Sequence, residues 1–584
     1  MEGLTGIRFP DYLVILSYFL FIILVGHYFS KYIRKAKDFF AAGNSMPWWL
    51  AGTSFYMASF STLLFVIYNE ISYKYGFVAV TICWIGPVAM LVGGYFTAHR
   101  WRRARTLTPI SFIERRYNKL VHQIFVWTGF PLRMFDNALK IYSTAIVLMV
   151  AMQNKNITFN RFVIILGILM IAYTYMGGML AVMITDFVQA VILSISVIML
   201  FALTVVYSGG FGNLVTQFPD GFLNLVRKPY DWSYLLFTVF AITLLTYNAS
   251  WALVQKYNCV RSEQDARKMI YYIALLMFIF PPIFFFPGMA ARVILPKLEN
   301  AQYAYAAISL KILPLGLMGF ILSAMLSATL STLGSEYNTL SGVLTRDFYR
   351  KIIKPDASEK QEVFFGRIST LVIGTVTMFL AIIYSYMQGL TLMDIMYRFF
   401  SAFGPPIMLP LIAGLLFKKV NSRGVICGML AGTVIGVILI IINFLLVQKY
   451  ADLMAVNSRL DYWLRSGWNS TAAMLNITAT IIGMWIGSVT KPTPEEEKRR
   501  VETFFTELGK PYEIEPADKE AASPFRVIGI TLALLGCAMI VISCVILIFY
   551  LDRGAFGIDL GVGIFLILLG IILRFAGRPK LQDI

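Results

Sequence analysis

The sequence has few charged residues, few histidines and few cysteines, and each scarcity excludes a class of protein. Only 14% of the 584 residues are charged, whereas 58% are hydrophobic; soluble globular proteins carry about 25% charged residues. The three histidines are far apart, so a metal cluster with hydrolytic spacing is not available. The five cysteines have no paired spacing, which excludes a disulfide framework. A nucleotide-binding loop of the Gly-x-x-x-x-Gly-Lys-Ser/Thr type is also missing. We therefore expect neither an enzyme nor an ATP-driven pump.

Long hydrophobic runs, by contrast, recur from Asp11 to Arg574. A helix that crosses a bilayer needs about 20 apolar residues, so we predict an all-α polytopic membrane protein with 15 transmembrane helices. The first predicted span covers residues 12–28. The others cover 47–70, 78–98, 121–151, 160–177, 181–206, 233–255, 269–291, 313–345, 367–387, 392–417, 424–447, 470–490, 525–550 and 557–576.

The distribution of Lys and Arg predicts the orientation of these helices. If the amino terminus lies outside, the cytoplasmic loops hold 34 of the 50 Lys and Arg residues, among them the stretch from Lys256 to Lys268. Because cytoplasmic loops are enriched in positive charge, we predict an outside amino terminus and an inside carboxyl terminus. The net charge of +18 is thus a topology signal, and we expect no nucleic acid partner. The expected location is the cell membrane, with the bacterial cytoplasmic membrane as the favoured case.

The predicted helices fall into two sets of five between a leading helix and four later ones. Because five is odd, the second set would enter the membrane with the opposite orientation, which is compatible with an inverted repeat. The predicted organisation is a leading helix and cytoplasmic loop (1–46), a first repeat (47–208), a second repeat (232–419), two additional helices (420–490), a polar cytoplasmic linker (491–524) and two carboxyl-terminal helices (525–584).

Four serines recur at four-residue spacing in the third helix of the second set: Ser323, Ser327, Ser331 and Ser335. Small residues at this spacing let helix backbones approach and let hydroxyls bond across helices. Alternatively, some of these hydroxyls replace the water shell of a sodium ion, together with carbonyls of a broken helix. Both interpretations can hold for different residues of the ridge.

The first helix of each set is interrupted by small and hydroxylated residues. In the first set, Gly and several hydroxyl residues occur between Trp48 and Thr62, and in the second set Thr243 to Ser250 is similar. Irregular backbone at membrane depth is tolerated only where it faces protein or a wet cavity. Interrupted helices at matching positions in two halves indicate a binding site near the bilayer midplane.

Asp186 follows Gly177 and Gly178 in the fifth helix of the first set, and no basic residue lies three or four positions away. An unpaired carboxylate at this depth would cost several kcal/mol, so it needs a cation. The alternatives are a bound ion and a salt bridge to another helix. The sequence offers no explanation for Glu336.

A second group of intramembrane charges comprises Arg133, Asp136 and Lys140 on one helix face, and Asp394 four residues before Arg398. Ion pairs within each helix would explain most of these charges. Three cations against two anions leave one positive charge, for which a substrate carboxylate is the alternative partner.

Several ordered motifs together resemble the sodium:solute symporter family over residues 11–490. They are Asp11 with Tyr18, the segment from Asp38 to Trp49, the stretch from Gly177 to Gln189, and the stretch from Ser331 to Asn338 continued by Thr345 to Tyr349. The resemblance implies a leucine-transporter-like fold of two inverted five-helix repeats. It also implies a small-molecule substrate, Na+ as the coupling ion and a bilayer environment, with the chain acting as a monomer or a homodimer.

The resemblance also implies sodium ligands. The conserved family site would fall on the carbonyls of Met57, Phe60 and Ala328 and the hydroxyls of Ser331 and Thr332. Some family members have a further sodium site, which would map to Asp186, Ser331, the Gly334 carbonyl and Ser335. Every one of these positions carries a suitable oxygen.

The substrate positions depart from those of the sugar carriers. Where those carriers place polar residues against a hexose, this sequence has Leu64, Cys83, Met277 and Tyr397. Sialate carriers use first-helix hydroxyls and a third-helix arginine, which Ser59, Ser61 and Arg133 resemble. The full candidate substrate set adds the broken-helix residues of the second half: Ser59, Ser61, Leu64, Cys83, Arg133, Thr243, Thr246, Met277 and Tyr397.

The function predicted from the sequence is therefore sodium-driven symport of a small organic anion, sialate- or monocarboxylate-like, by alternating access. Three alternatives are left open: a sodium/sugar symporter, a proton-coupled carrier in which Asp186 titrates, and a solute sensor.

Overall fold

The computed structural model describes residues 6–30, 42, 46–106, 108–153, 157–386, 392–457, 460, 463–511 and 524–576. The loop residues 31–41, most of the 38–49 family motif, part of the linker and the last eight residues lie outside the described part. The described chain is helical almost throughout. Its few charged residues and long apolar runs are suited to lipid, which offers the backbone no hydrogen-bond partners. A helix satisfies its own backbone groups within one segment.

Among the described residues up to the middle of the chain, nine helices build the first half and the start of the second. They are α1 (Phe9–Ser30), α2 (Trp48–Ala58), α3 (Thr62–Tyr75), α4 (Val78–Arg103), α5 (Lys119–Met152), α6 (Phe159–Tyr207), α7 (Ala241–Ala249), α8 (Trp251–Cys259) and α9 (Glu263–Ile294). Short helices lie at Phe112–Arg116 and Phe211–Thr216, and the helical run Trp232–Phe240 leads directly into α7.

The rest of the described chain holds eight more long helices and several short ones. The long ones are α10 (Leu317–Val343), α11 (Glu359–Tyr384), α12 (Leu392–Leu416), α13 (Ser422–Lys449), α14 (Trp468–Val489), α15 (Glu495–Gly509), α16 (Pro524–Tyr550) and α17 (Arg553–Ala576). The short ones are Ala301–Tyr303, Ala304–Ile312, Ala451–Val456 and Trp463–Gly467, and a π-helical segment, Leu344–Ile353, continues α10. The linker predicted at residues 491–524 contains the helix α15.

Among the described residues, 12 helices are long and apolar enough to cross a membrane, or 13 if the bent pair α2–α3 is one span. Two shorter apolar helices, Phe9–Leu24 and Phe159–Tyr175, would bring this number to the predicted 15. The exact number of crossings and the outside position of the amino terminus stay predictions.

The first helix of each predicted repeat is broken, as the sequence indicated. α2 and α3 meet at a bend of 60° across residues 59–61. In the second half, α7 ends and α8 begins at Ser250, whose ψ of 125° is extended rather than helical. The two breaks therefore occur at corresponding positions in the two halves.

α6 combines the predicted spans 160–177 and 181–206 in one helix that bends sharply. The Tyr173 hydroxyl is hydrogen-bonded to the Thr185 hydroxyl, twelve residues further along. Twelve residues of straight helix cover about 18 Å, which is far beyond the reach of these two side chains. The chain therefore turns back between them, where Gly177 and Gly178 lie.

α10 is the central helix of the protein, and every one of its residues is buried. Its serines, alanines, threonines and glycines have little volume, so neighbouring helices can pack closely on all sides. At its start, the Gly319 amide donates to Asp11 Oδ1 at 2.8 Å. This bond satisfies a free N–H group of the first helical turn and explains the aspartate of the first family motif.

The two additional helices α13 and α14 approach each other through glycines, which gives a stability prediction. A Cβ at Gly432 would lie 2.2 Å from Thr480 Oγ1 and 2.8 Å from Pro406 Cβ. We expect Gly432→Ile to destabilise the protein by about 2 kcal/mol or more, because overpacking moves backbone as well as side chains. The measurement is the thermal unfolding midpoint in detergent. Gly561→Ile is the matched control, since a Cβ there meets nothing within 4 Å; equal midpoints for the two variants would contradict the prediction.

Candidate functional site

The two broken helices enclose a cavity of about 170 Å³ near the centre of the protein. Its wall is formed by the α2–α3 break and by parts of α4, α5, α7, α8, α9, α10 and α12. All nine predicted substrate residues line this one cavity: Ser59, Ser61, Leu64, Cys83, Arg133, Thr243, Thr246, Met277 and Tyr397. The structure thus brings together residues that are up to 338 positions apart in the sequence.

One side of the cavity is aromatic. Tyr56, Tyr68, Tyr247, Tyr397 and Phe400 line it, and the Tyr56 ring stacks on Phe60 with centroids 6.2 Å apart. Cavities lined by aromatic and apolar groups with a few placed polar groups are typical of small-molecule sites.

The cavity wall also carries four buried charges: Arg133, Asp136, Lys140 and Glu336. Lys140 Nζ lies 2.7 Å from Asp136 Oδ2, so the predicted ion pair within this helix is confirmed. Arg133 does not join it, because its Nη1 lies 3.5 Å from Glu336 Oε1 on α10. Glu336, which the sequence left unexplained, therefore balances the charge of Arg133.

Arg133 is further held by the break in the second half. Its Nη1 donates to Ser250 Oγ at 2.8 Å, and Ser250 is the non-helical residue between α7 and α8. At 3.5 Å the contact to Glu336 is longer than a charge-assisted hydrogen bond of 2.7–2.9 Å. Glu336 Oε2 has no hydrogen-bond partner within the described part of the chain. A guanidinium has five N–H donors, and Ser250 accepts from one of them, so Arg133 has capacity for a further acceptor.

Carbonyl oxygens converge on Thr332 at the end of α2. Thr332 Oγ1 lies 3.2 Å from the Met57 carbonyl, 3.1 Å from that of Phe60 and 2.9 Å from that of Ala328. One hydroxyl proton cannot serve three acceptors, so the group has oxygen atoms to spare. A surplus of neutral oxygens at a helix end suits a hard cation. Four of the five predicted ligands of the conserved sodium site lie together in this way.

The fifth predicted ligand, Ser331, is oriented differently. Its hydroxyl lies beside the Asp186 carboxylate and makes no hydrogen bond of good geometry among the described residues. The carbonyls around Thr332 and the carboxylate of Asp186 on α6 therefore contact two sides of the same turn of α10.

A set of threonines that the sequence interpretation missed joins α3 to α10. The Thr329 hydroxyl donates to Thr62 Oγ1 at 2.8 Å, and Thr62 Oγ1 donates to the Met325 carbonyl at 2.6 Å. Thr144 of α5 lies 2.9 Å from the same Thr329 hydroxyl. The sequence signal that could have identified this set was the position of Thr329 on the same small-residue helix as Ser331 and Thr332.

Asp186 has a basic partner from another helix, which was one of the two alternatives for this residue. Lys256 Nζ lies 3.9 Å from Asp186 Oδ2, and both side chains are fully buried. Ser54 also donates to this carboxylate. The interpretation of Lys256 as a loop charge was wrong: it lies inside α8 among protein groups. Lys256 directly follows the predicted span 233–255 and precedes three further basic residues up to Lys268. These neighbours made it look like part of a cytoplasmic loop.

The serines of the ridge divide into two pairs with different neighbours. Ser323 and Ser327 donate to carbonyls one turn earlier, and Ser327 Oγ lies 2.6 Å from the Tyr18 hydroxyl of α1. These two serines pack helices together. Ser331 and Ser335 instead lie next to Asp186 and Lys256.

Structures with the same fold are known among transporters. A Na+-coupled sialic acid symporter in a substrate-bound, outward-open state matches with a TM-score of 0.70 over 83% of this chain and 98% of that chain, at 21% identity. Mhp1, a nucleobase-cation-symport-1 family transporter in a closed conformation, matches with a TM-score of 0.51 over 79% of this chain and 96% of that chain, at 15% identity. The predicted leucine-transporter-like fold is thereby confirmed.

A bundle with paired broken helices around a central cavity, in a chain of many membrane spans, defines a secondary active transporter. The family model "Sodium:solute symporter family" matches residues 39–432, which is more than half of the chain. The protein belongs to the sodium:solute symporter family. It is a sodium-coupled transporter of the cell membrane that carries a small molecule, and the family is one of transporters rather than enzymes.

Individual relatives are distant but extensive. The sodium/glucose cotransporter of Vibrio parahaemolyticus is 25% identical over 73% of this chain and 84% of its own length. The sodium/sialic acid symporter NanT of Aliivibrio fischeri is 24% identical over 72% of this chain and 86% of its own length. The sodium/sialic acid symporter SiaT of Proteus mirabilis is 24% identical over 73% and 88%, respectively.

Proposed function

We propose that this protein imports a small organic anion, sialate- or monocarboxylate-like, together with sodium. The observation that carries the proposal is Arg133, a buried guanidinium on the wall of the central cavity with its nearest acid at 3.5 Å. Arginine binds carboxylates through two parallel hydrogen bonds. The names of two relatives, both sodium/sialic acid symporters, support an anionic solute.

We propose that sodium binds between the broken helix and α10. The ligands would be the carbonyls of Met57, Phe60 and Ala328 and the hydroxyl of Thr332, and the Ser331 hydroxyl would complete the set by turning from Asp186 towards them. The spacing of the three carbonyls around Thr332 supports this site. Because α2 ends there, the negative end of its dipole also favours a cation.

The electrostatics of the cavity explain why the anion and sodium would travel together. The four charges of the cavity wall cancel in pairs, so a lone anion would leave the buried site with net negative charge. Phe60 and Thr332 line the cavity and also belong to the sodium site. A sodium ion there compensates the charge of the solute, so each raises the affinity of the other by the same factor.

Alternating access follows from where sodium would bind. The ion would hold the α2–α3 break against α10 and favour the conformation that admits solute from outside. Closure over the loaded cavity and opening towards the cytoplasm would then release both. The 60° bend and the interruption at Ser250 are the places where the helix halves can move separately.

A sodium/sugar symporter is the alternative. Leu64 offers no hydrogen-bonding group to a hexose hydroxyl, the Met277 thioether is only a weak acceptor, and the Cys83 thiol is a weak donor. A site that lacks the polar partners of its substrate discriminates against it. The cavity wall at these residues therefore favours the anion over the sugar.

We also propose that each chain is a complete transport unit, whether monomer or homodimer, since one chain supplies every residue of the cavity. Lipid would cover the exposed apolar side chains on the outside of the bundle, such as Phe444 and Trp485.

The test is the thermal unfolding midpoint of the purified protein in sodium and in choline, with sialate, pyruvate, glucose or an amino acid added. A ligand present at 100 times its Kd stabilises the native state by about 2.7 kcal/mol. We expect an anion to raise the midpoint in sodium and to have little effect in choline. Stabilisation by glucose alone would favour the sugar alternative, and equal stabilisation in choline would favour proton coupling.

A further inference from the structure

The ammonium of Lys256 lies close to the site, and neither the solute nor the sodium proposal uses it. It lies in α8, directly after the break at Ser250, and is fully buried. Its Nζ donates to Ser335 Oγ at 3.0 Å and lies 3.3 Å from Met179 Sδ. With Asp186 at 3.9 Å, the ammonium connects α8 to α6 and α10.

Its neighbours are the residues that would form a second sodium site. Asp186 and Ser335 belong to that predicted set and both contact Lys256. Ser331, a third member, lies beside Asp186. A cation that is part of the chain therefore already contacts two of the four predicted ligands of a second sodium ion.

The charge at this position is already balanced without another cation, although Asp186 Oδ1 and Ser331 Oγ have no hydrogen-bond partner in the described part of the chain. Asp186 contributes one negative charge, and Lys256 compensates it. Glu336 also lies within the field of Lys256, but it is matched by Arg133 at 3.5 Å. A sodium ion between Asp186 and Ser335 would lie next to the ammonium without a further anion, and like charges repel strongly where water is excluded.

The ligand chemistry agrees with the charge balance. A thioether such as that of Met179 is a soft ligand, and hard cations prefer oxygen. An ammonium, in contrast, is satisfied by a hydroxyl, a carboxylate and a weak sulfur acceptor.

We propose that Lys256 is a built-in cation that replaces the second sodium ion, so that this transporter binds one sodium per solute. The proposal rests on the proposed function, because it takes the sodium site at Thr332 as the remaining one. With a singly charged anion as solute, the transported load is then electrically neutral.

The test is the binding of radioactive sodium to the purified full-length protein without solute. It measures the number of sodium ions bound per chain and the shape of the saturation curve. We expect one sodium per chain and a Hill coefficient of about one for the wild type. In Lys256→Ala the carboxylate loses its cation, and we expect a second bound sodium. The double variant Lys256→Ala/Asp186→Asn removes that carboxylate and should return to one. Lys268→Ala, an exposed lysine, is the matched control and should equal the wild type.

Two sodium ions bound to the wild type would overturn the proposal, and so would a single sodium bound to folded Lys256→Ala. If Lys256→Ala does not fold, the uncharged pair Lys256→Gln/Asp186→Asn decides. Its sodium affinity should stay within about threefold of the wild type, and a loss of tenfold or more would show that Asp186 binds sodium in the native protein. No sodium binding to the wild type at all would instead contradict the proposed sodium site.

Discussion

Replacing Thr332 by alanine should weaken sodium activation of solute uptake by roughly 10- to 100-fold, the equivalent of about 1.4–2.8 kcal/mol. The Thr332 hydroxyl lies within 3.2 Å of three carbonyls from two helices. Its loss removes one oxygen ligand and leaves the carbonyls of the α2–α3 break without their link to α10. The measurement is the sodium concentration that gives half-maximal uptake in proteoliposomes, at saturating solute and constant pH.

Ser323→Ala is the matched control for Thr332→Ala, because Ser323 lies on the same helix and donates to the Gly319 carbonyl far from the break. Its sodium dependence should stay within about twofold of the wild type. An unchanged sodium dependence in Thr332→Ala would show that the carbonyl cluster only packs the helices and does not bind the coupling ion.

Removing the Arg133 charge should reduce anion affinity by roughly 100-fold or more, since two charge-assisted hydrogen bonds of about 1.5–3 kcal/mol each are lost. Arg133→Gln alone would leave Glu336 buried without its cation, which costs stability. The informative variant is therefore Arg133→Gln/Glu336→Gln, which removes both charges of this pair. The readout is the solute concentration that half-saturates sodium-dependent uptake or the thermal shift.

The control for the arginine prediction is Asp136→Asn/Lys140→Gln. It neutralises the other ion pair of the same cavity wall and should change solute affinity much less. If both double variants lose affinity equally, the general polarity of the cavity binds the solute and Arg133 is not its anchor. If both double variants still take up the anion and neither takes up a sugar, the carboxylate of the solute contacts a different part of the cavity.

The positions of the long helices could be predicted closely from the sequence. The observed α13, Ser422–Lys449, and α14, Trp468–Val489, differ from the predicted spans by two residues or fewer at each end. Apolar run length is a local property that the bilayer thickness sets. The break of α2–α3 was also predictable, because glycine and hydroxyl residues interrupt an otherwise apolar helix there.

The pairing of charges was the least predictable part. Glu336 had no visible partner, and Lys256 was assigned to a loop. Their partners Arg133 and Asp186 come from different helices at 3.5 and 3.9 Å. Only charges three or four residues apart on one helix, such as Asp136 and Lys140, can be paired from spacing alone.

The sequence by itself therefore determined the class of protein, the helix pattern, the two interruptions and the family. These follow from hydrophobic run length, small-residue spacing and local motifs, which need no knowledge of neighbours in space. The tertiary structure alone decided that Arg133 lies against Glu336 and Ser250, that Thr332 gathers carbonyls from α2 and α10, and that Lys256 occupies the position beside Asp186. The physical reason is that a buried charge is satisfied by whichever group packing brings within a few ångströms, and packing joins residues that are far apart along the chain.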